Sequence, residues 1–110
     1  MDEAKSIKTV LTGRWLHSHE EDSGDEMVFR PGSYDFPPSR GRMGYEFHAD
    51  RRCSLIGIAP ADGSIITGGC RWRHKEGDPR TILIEDDSGV IDTLTVDIDG
   101  KDGPLIRRKR

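Results

Sequence analysis

Two segments of this chain place a tryptophan and a histidine two residues apart, residues 14–17 (RWLH) and residues 71–74 (RWRH). Side chains at i and i+2 share one face of a β-strand, so each histidine points to the same side as its tryptophan. Neutral imidazole binds metal ions and haem iron, which makes His17, His48 and His74 candidates for such a site. Alternatively, these histidines lie where strands emerge into water. No Cys/His/Asp cluster has the spacing of metal ligands, so we predict no bound metal and no cofactor.

The two cysteines, Cys53 and Cys70, lie symmetrically about a turn at residues 60–63. In a regular hairpin this spacing sets them opposite each other on neighbouring strands, where a disulfide is geometrically possible. In a reducing cytoplasm they remain thiols that pack as small apolar groups, and this is the state we expect. Gly68-Gly69, in the middle of the strand that carries Cys70, indicates a bulge or sharp bend, and a bulge there would break the symmetry of the hairpin.

No arrangement of side chains predicts catalysis. Nothing in the sequence supplies the oriented third group that Cys53 and a histidine would need to act as a nucleophilic pair. The paired aspartates at residues 86–87 and at residues 97 and 99 lie in or beside turns, where aspartate is favoured for local reasons. We therefore predict a protein that is not an enzyme, with an isomerase built on a β-barrel as the alternative.

Aromatic side chains are the best candidates for a binding site. Tyr45 and Phe47 alternate with polar residues, which places them on one face of a strand. We expect them to surround a cavity together with Trp72 and His74, and Tyr34 and Phe36 to cover it from an irregular segment, residues 33–42. In the alternative interpretation the aromatic residues fill the core and residues 33–42 are an ordered connector.

Length and composition limit the possibilities further. The chain has 110 residues, enough for one domain, and a formal net charge of −3, which gives no general electrostatic reason to bind nucleic acid. No apolar run approaches the roughly 18–20 residues that span a bilayer, and residues 1–7 lack the apolar core of a secretory signal. We expect a cytoplasmic protein that binds neither membranes nor nucleic acids. An acidic stretch, residues 20–26, and a basic end, residues 107–110, are expected to be solvated.

Eight strand-like segments, joined by turns rich in glycine, proline and aspartate, follow one another about ten residues apart. They cover residues 10–19, 27–30, 44–50, 53–59, 64–74, 81–85, 90–98 and 105–109. No gap holds a crossover helix, so the pattern predicts an all-β fold, an antiparallel up-and-down barrel of about eight strands. A two-sheet β-sandwich is the alternative. Residues 1–9 are expected to be a short lead-in, and residues 10–110 a single barrel domain.

The first and last strands carry a resemblance to a known family. Gly13-Arg14-Trp15 matches the G-x-W motif on the first strand of lipocalin-like proteins, and Arg107 or Arg108 stands where their last strand lays a basic side chain across the tryptophan. The chain thus resembles short bacterial lipocalin-like proteins of the calycin superfamily. The resemblance implies that Gly13, Trp15 and one of these arginines close the barrel, through stacking of a guanidinium on an indole. Classical lipocalins are longer, secreted and carry helices after the barrel, unlike this chain.

These observations together predict a binding protein. The expected function is non-enzymatic binding of a small apolar or aromatic molecule in the mouth of a lipocalin-like barrel. One alternative is a module that binds another protein, or a second copy of itself, through residues 33–42 while its interior is filled. The other is haem or metal binding through His17, His48 or His74.

Overall fold

The computed structural model describes residues 3–39, 41–58 and 64–109, and shows eight antiparallel strands that close into a barrel. The predicted turn at residues 60–63 lies outside the described residues, as does Arg110 of the basic end. The strands are β1 (Gly13–His17), β2 (Glu26–Pro31), β3 (Gly44–Phe47), β4 (Arg52–Ile58), β5 (Ser64–Lys75), β6 (Asp78–Asp86), β7 (Gly89–Asp97) and β8 (Leu105–Lys109). The predicted all-β, eight-stranded antiparallel barrel is thereby confirmed.

The order of the strands around the barrel differs from the order along the chain at one place. The barrel runs β1-β2-β8-β7-β6-β5-β4-β3, so β1 lies between β2 and β3. Both neighbours are antiparallel to β1, and β2 and β3 therefore run in the same direction. The connection between them, residues 32–43, must cross β1, and we call it the strap. Its first residue, Gly32, donates a backbone hydrogen bond of 2.8 Å to the carbonyl of Arg14, on the outer side of β1.

The N-terminal segment forms a helix, α1 (Glu3–Leu11), and the first strand begins at Gly13, three residues later than the Val10 at which the sequence predicted its start. Ile7 and Leu11, four residues apart, share one helix face, and both are completely buried against the barrel. The burial of this face makes the segment helical. Trp15 then fixes the end of α1, because its indole Nε1 donates a hydrogen bond of 2.8 Å to the carbonyl of Leu11.

The inside of the barrel is filled mainly by large apolar side chains. The largest fully buried ones belong to Trp15, Trp72, Tyr45, Phe29, Phe47, Ile7, Leu11, Ile82, Ile84, Leu94, Ile106 and Val96. The helix α1 contacts β6 at one end of the barrel, where Glu3 pairs with Arg80. We call this the helix end, and the opposite end the mouth. In the described part of the chain, no helix is long and apolar enough to cross a membrane.

Cys53 and Cys70 form a disulfide, whereas the sequence favoured two thiols. The predicted register is confirmed: the two residues are direct partners on β4 and β5, and their Cα atoms are 4.9 Å apart, within the usual range for a disulfide. The predicted bulge lies one residue from Gly68. Leu55 pairs with Gly68 and Ile56 with Ile66, so Thr67 is the extra residue, and the register around the cysteines is left intact.

The arginine of the last strand does not stack on Trp15, which corrects the expected closure. Because β2 separates β1 from β8, Arg108 lies over Phe29 of β2 instead, with its Cζ 5.5 Å from the ring centroid. Arg107 points outward and forms an ion pair with Asp97. The stacked guanidinium and indole are found elsewhere: Arg51 lies 4.4 Å from the ring centroid of Trp72.

Candidate functional site

A pocket with a volume of about 350 Å³ lies in the half of the barrel near the mouth. Its lining residues are Met43, Gly44, Tyr45, Leu55, Ile56, Gly57, Thr67, Asp92 and Arg108. The bulge at Thr67 adds a residue to β5 where β4 and β5 form this wall, and bulges bend the strand at the rims of barrels. The bulge and the end of the strap thus shape the pocket.

Three polar side chains from three strands meet in this pocket. Tyr45 on β3, Asp92 on β7 and Arg108 on β8 all point inward, in phase with buried neighbours such as Phe47, Leu94 and Ile106. The Tyr45 hydroxyl donates a hydrogen bond of 2.7 Å to Asp92 Oδ2 and accepts one of 2.5 Å from Arg108 Nη1. We call these three residues the polar triad.

The electrostatics of the polar triad depend on the burial of Tyr45 and on the charges of its two partners. Burial of the Tyr45 ring, and next the hydrogen bond to the Asp92 carboxylate, raise the pKa of the Tyr45 hydroxyl far above its usual value, so this group stays neutral. Arg108 Nη1 lies 3.7 Å from Asp92 Oδ2, which makes an ion pair without a direct hydrogen bond. Arg108 Nη2 lies 3.0 Å from the thioether sulfur of Met27, and a thioether is a weak acceptor.

Of the residues that the sequence predicted for the site, Tyr45 alone lines the pocket. Phe47 and Trp72 are core residues, joined edge-to-face with ring centroids 6.1 Å apart. His74 packs against Trp72 towards the helix end, and its Nδ1 donates a hydrogen bond of 2.8 Å to the carbonyl of Pro79. The structure therefore spreads the predicted aromatic set along the barrel interior, with successive ring contacts from Tyr45 through Phe47 and Trp72 to His74.

Tyr34 and Phe36, the expected cover of the pocket, lie on the strap and do not line the pocket. Tyr34 lies under the guanidinium of Arg30, at 5.0 Å from Cζ to the ring centroid. Phe36 lies under Arg42, at 4.6 Å. Both arginines are almost fully buried, with exposed fractions of 4% and 7%. The strap is thus fixed to the outer wall of the barrel.

The acidic stretch holds these two arginines, although it was expected to be solvated. Glu20 and Glu21 each form a two-pronged ion pair, with Arg42 and Arg30 respectively, at distances of 2.7–3.0 Å. The hydrogen bond from Arg42 lowers the pKa of Glu20 to about 2, and that from Arg30 lowers the pKa of Glu21. Arg30 also donates to the carbonyls of residues 102–104, which ties the turn before β8 into the same cluster.

The candidate histidines are not brought together. His17 lies at the end of β1, where its Nε2 is 2.9 Å from a carboxylate oxygen of Asp22. His48 and His74 lie at the helix end, and the backbone carbonyl of His48 accepts a hydrogen bond from Trp72 Nε1. Within residues 3–39, 41–58 and 64–109, no group of three or more His, Cys, Asp or Glu side chains could hold a metal ion.

Asp92 lies in the site, but the sequence interpretation did not include it. The alternation of residues along the seventh strand could have identified it. Leu94, Val96 and Ile98 alternate along the seventh strand, so a charged residue at position 92 falls on the same inward face. A charged side chain that points into a small barrel needs a partner. The same argument singles out Arg108 over Arg107, because Ile106 and Arg108 share a face and Ile106 is completely buried.

Comparisons with protein-family models, with curated proteins and with solved structures find no match to this chain. The resemblance to lipocalin-like proteins accordingly stays a prediction from Gly13, Trp15 and the barrel-like pattern of strands.

Proposed function

We propose that this barrel is a non-enzymatic binding protein for a small, largely apolar or aromatic molecule, held in the pocket near the mouth. The observation that carries the proposal is a cavity of about 350 Å³ that joins apolar walls to a partly buried polar triad. Ligand sites are mostly apolar with a few placed polar groups, and their volumes begin at roughly 300 Å³. A ligand of one or two fused rings, or a short alkyl chain, fits a cavity of this size.

A neutral fluorescent dye, N-phenyl-1-naphthylamine, tests this proposal. Its fluorescence should rise on binding and saturate with the wild-type protein. Leu55→Trp places a larger side chain in the pocket wall, and we expect it to weaken binding at least tenfold. Leu83→Trp is the matched control: the same substitution, at a half-buried leucine that is in register with exposed residues of neighbouring strands, should leave binding unchanged.

Two results would contradict the proposal: absence of saturable binding to the wild-type protein, or equal binding by the Leu55 and Leu83 variants. Urea unfolding of both variants checks that each is folded. Native mass spectrometry of the purified protein adds a second readout, because a bound molecule of low mass would identify the ligand directly.

The other expectations from the sequence stay predictions. Among the residues that the structure describes, no contact favours haem or metal binding through His17, His48 and His74 over binding in the pocket. Binding of a protein partner through residues 33–42 would use the outer side of the strap, whose inner side is held by Arg30 and Arg42. A cytoplasmic location and the formation of homo-oligomers likewise stay predictions.

A further inference from the structure

We infer that the ligand offers a neutral hydrogen-bond acceptor, such as a ketone or amide carbonyl, to Arg108, and that Asp92 selects against anionic ligands. This inference rests on the proposed function and adds the chemical class of the ligand. Two observations carry it: the contacts within the polar triad, and the N–H groups of Arg108 that these contacts do not use.

The guanidinium of Arg108 has hydrogen-bond donors to spare. A guanidinium carries five N–H groups. In the described part of the chain one of them donates to the Tyr45 hydroxyl and one contacts the weak acceptor Met27 Sδ. The side chain is 18% exposed and lines the pocket. A ligand acceptor placed in this pocket can accept a hydrogen bond from one of the remaining N–H groups in place of water.

Tyr45 cannot serve as the donor for such a ligand. Its hydroxyl has a single hydrogen, which it donates to Asp92 at 2.7 Å, while its oxygen accepts from Arg108. The role of Tyr45 is to hold the carboxylate and the guanidinium in fixed positions. The ligand therefore meets Arg108 as the available donor of the triad.

The negative charge of Asp92 determines which kind of ligand acceptor can bind favourably to Arg108. Its carboxylate lies 3.7 Å from Arg108 Nη1 and already balances the positive charge. A ligand carboxylate beside Arg108 would also lie close to Asp92, and repulsion would offset the attraction. The ligand would still lose its hydration on entering an apolar pocket. A neutral carbonyl gains the hydrogen bond without this repulsion and with a smaller loss of hydration.

A matched pair of probes, 2-naphthamide and 2-naphthoate, tests the inference at pH 7, where the second is ionised. The wild-type protein should bind 2-naphthamide at least tenfold more tightly. Asp92→Asn keeps an acceptor for the Tyr45 hydroxyl but removes the negative charge. We expect it to shift the ratio of the two affinities at least tenfold towards 2-naphthoate. Arg108→Gln should weaken the binding of 2-naphthamide.

Asp97→Asn is the control for net charge. Asp97 lies on the same strand as Asp92 and pairs with Arg107 at the same distance of 3.7 Å, but outside the pocket. Its substitution should leave the ratio of affinities unchanged. The preference of the wild-type protein is a separate measurement that holds even if a variant fails to fold.

The outcomes separate the two proposals. If N-phenyl-1-naphthylamine binds but the wild-type protein takes 2-naphthoate as tightly as 2-naphthamide, or does not bind 2-naphthamide, the inference is overturned and the binding function stands. An unchanged ratio in a folded Asp92→Asn variant also overturns it. If none of the three compounds binds, the proposed function itself fails.

Discussion

Gly44 shows how one residue permits the arrangement of strands in this barrel. A Cβ atom added at this position would lie 1.9 Å from the carbonyl oxygen of Trp15, on the neighbouring strand β1. A side-chain rotation cannot relieve this contact, because the atoms that the added Cβ would meet belong to the backbone of β1. We expect Gly44→Ala to force β1 and β3 apart and to lower the free energy of unfolding by roughly 1–3 kcal/mol. Urea denaturation of the variant measures the change.

Gly69→Ala is the matched control for this prediction. Gly69 also lies within a strand, but an added Cβ would meet no atom within 4 Å. Its substitution should change the free energy of unfolding by less than about 0.5 kcal/mol. If both variants unfold at the same urea concentration as the wild-type protein, the close approach of β1 and β3 is wrong.

The individual site residues were only partly predictable. Alternation in the sequence identified Tyr45 as an inward residue, and the same alternation contained Asp92 and Arg108. The partners of Tyr45 could not be predicted, because Asp92 and Arg108 lie 47 and 63 positions away in sequence and meet Tyr45 only when β3 faces the neighbouring strands β7 and β8 across the interior. Spacing within one strand gives the side of the sheet and not the position around the barrel.

Among the elements, the strap depends on charge for its position. Glu20 and Glu21 bind Arg42 and Arg30 and so hold residues 32–43 on the outer wall. The sequence predicted solvated acids here because these partners are 9 to 22 positions away and the intervening chain has no regular pattern. Buried arginines at these positions also explain why β2 is covered on both faces, as its four central residues are all buried.

This arrangement predicts a loss of stability in acid. The folded-state pKa of Glu20 is about 2, below the ordinary value of 4.5, and the pKa of Glu21 is also lowered. The unfolded chain therefore binds more protons than the folded protein in this range, and stability falls as the pH decreases from about 5 to about 2. Glu20→Gln should lower the free energy of unfolding at pH 7 and make stability depend less on pH. The urea midpoint across pH 2–7 measures both effects.

Glu76→Gln controls for the loss of a carboxylate. Glu76 is exposed in the turn between β5 and β6. The variant should keep the pH dependence of the wild-type protein. A Glu20→Gln variant with the same slope as the wild-type protein would show that the ion pair with Arg42 does not contribute to acid sensitivity.

For the whole molecule, the barrel was predictable from the sequence, but the order of the strands around it was not. Eight regularly spaced strands without room for a crossover helix predicted an antiparallel barrel, and the structure confirms it. The sequence carries no signal that β1 lies between β2 and β3, because the strap that permits this arrangement is irregular. Because β2 lies between β1 and β8, the guanidinium of Arg108 lies over the ring of Phe29 on β2 and not over Trp15 on β1. The order of strands therefore determines which side chains reach the pocket.

The disulfide between Cys53 and Cys70 should contribute strongly to the stability of a domain this small. The bridge closes a segment of the chain with a sequence separation of 17 residues. Restriction of the unfolded chain over a loop of this length is worth about 3 kcal/mol. We expect a reducing agent to lower the free energy of unfolding by roughly 2–4 kcal/mol, measured by urea denaturation with and without the reductant.

A variant with both cysteines replaced by alanine is the control, because the reductant should not change its stability. Titration of thiols in the denatured, unreduced protein should find none, since both cysteines are bridged. Two free thiols, or a shift below about 0.5 kcal/mol on reduction, would contradict the bridge and support the sequence expectation of buried thiols. Disulfides persist in oxidising compartments and are rare in the cytosol. The thiol titration on protein taken directly from its source would therefore also test the expected cytoplasmic location.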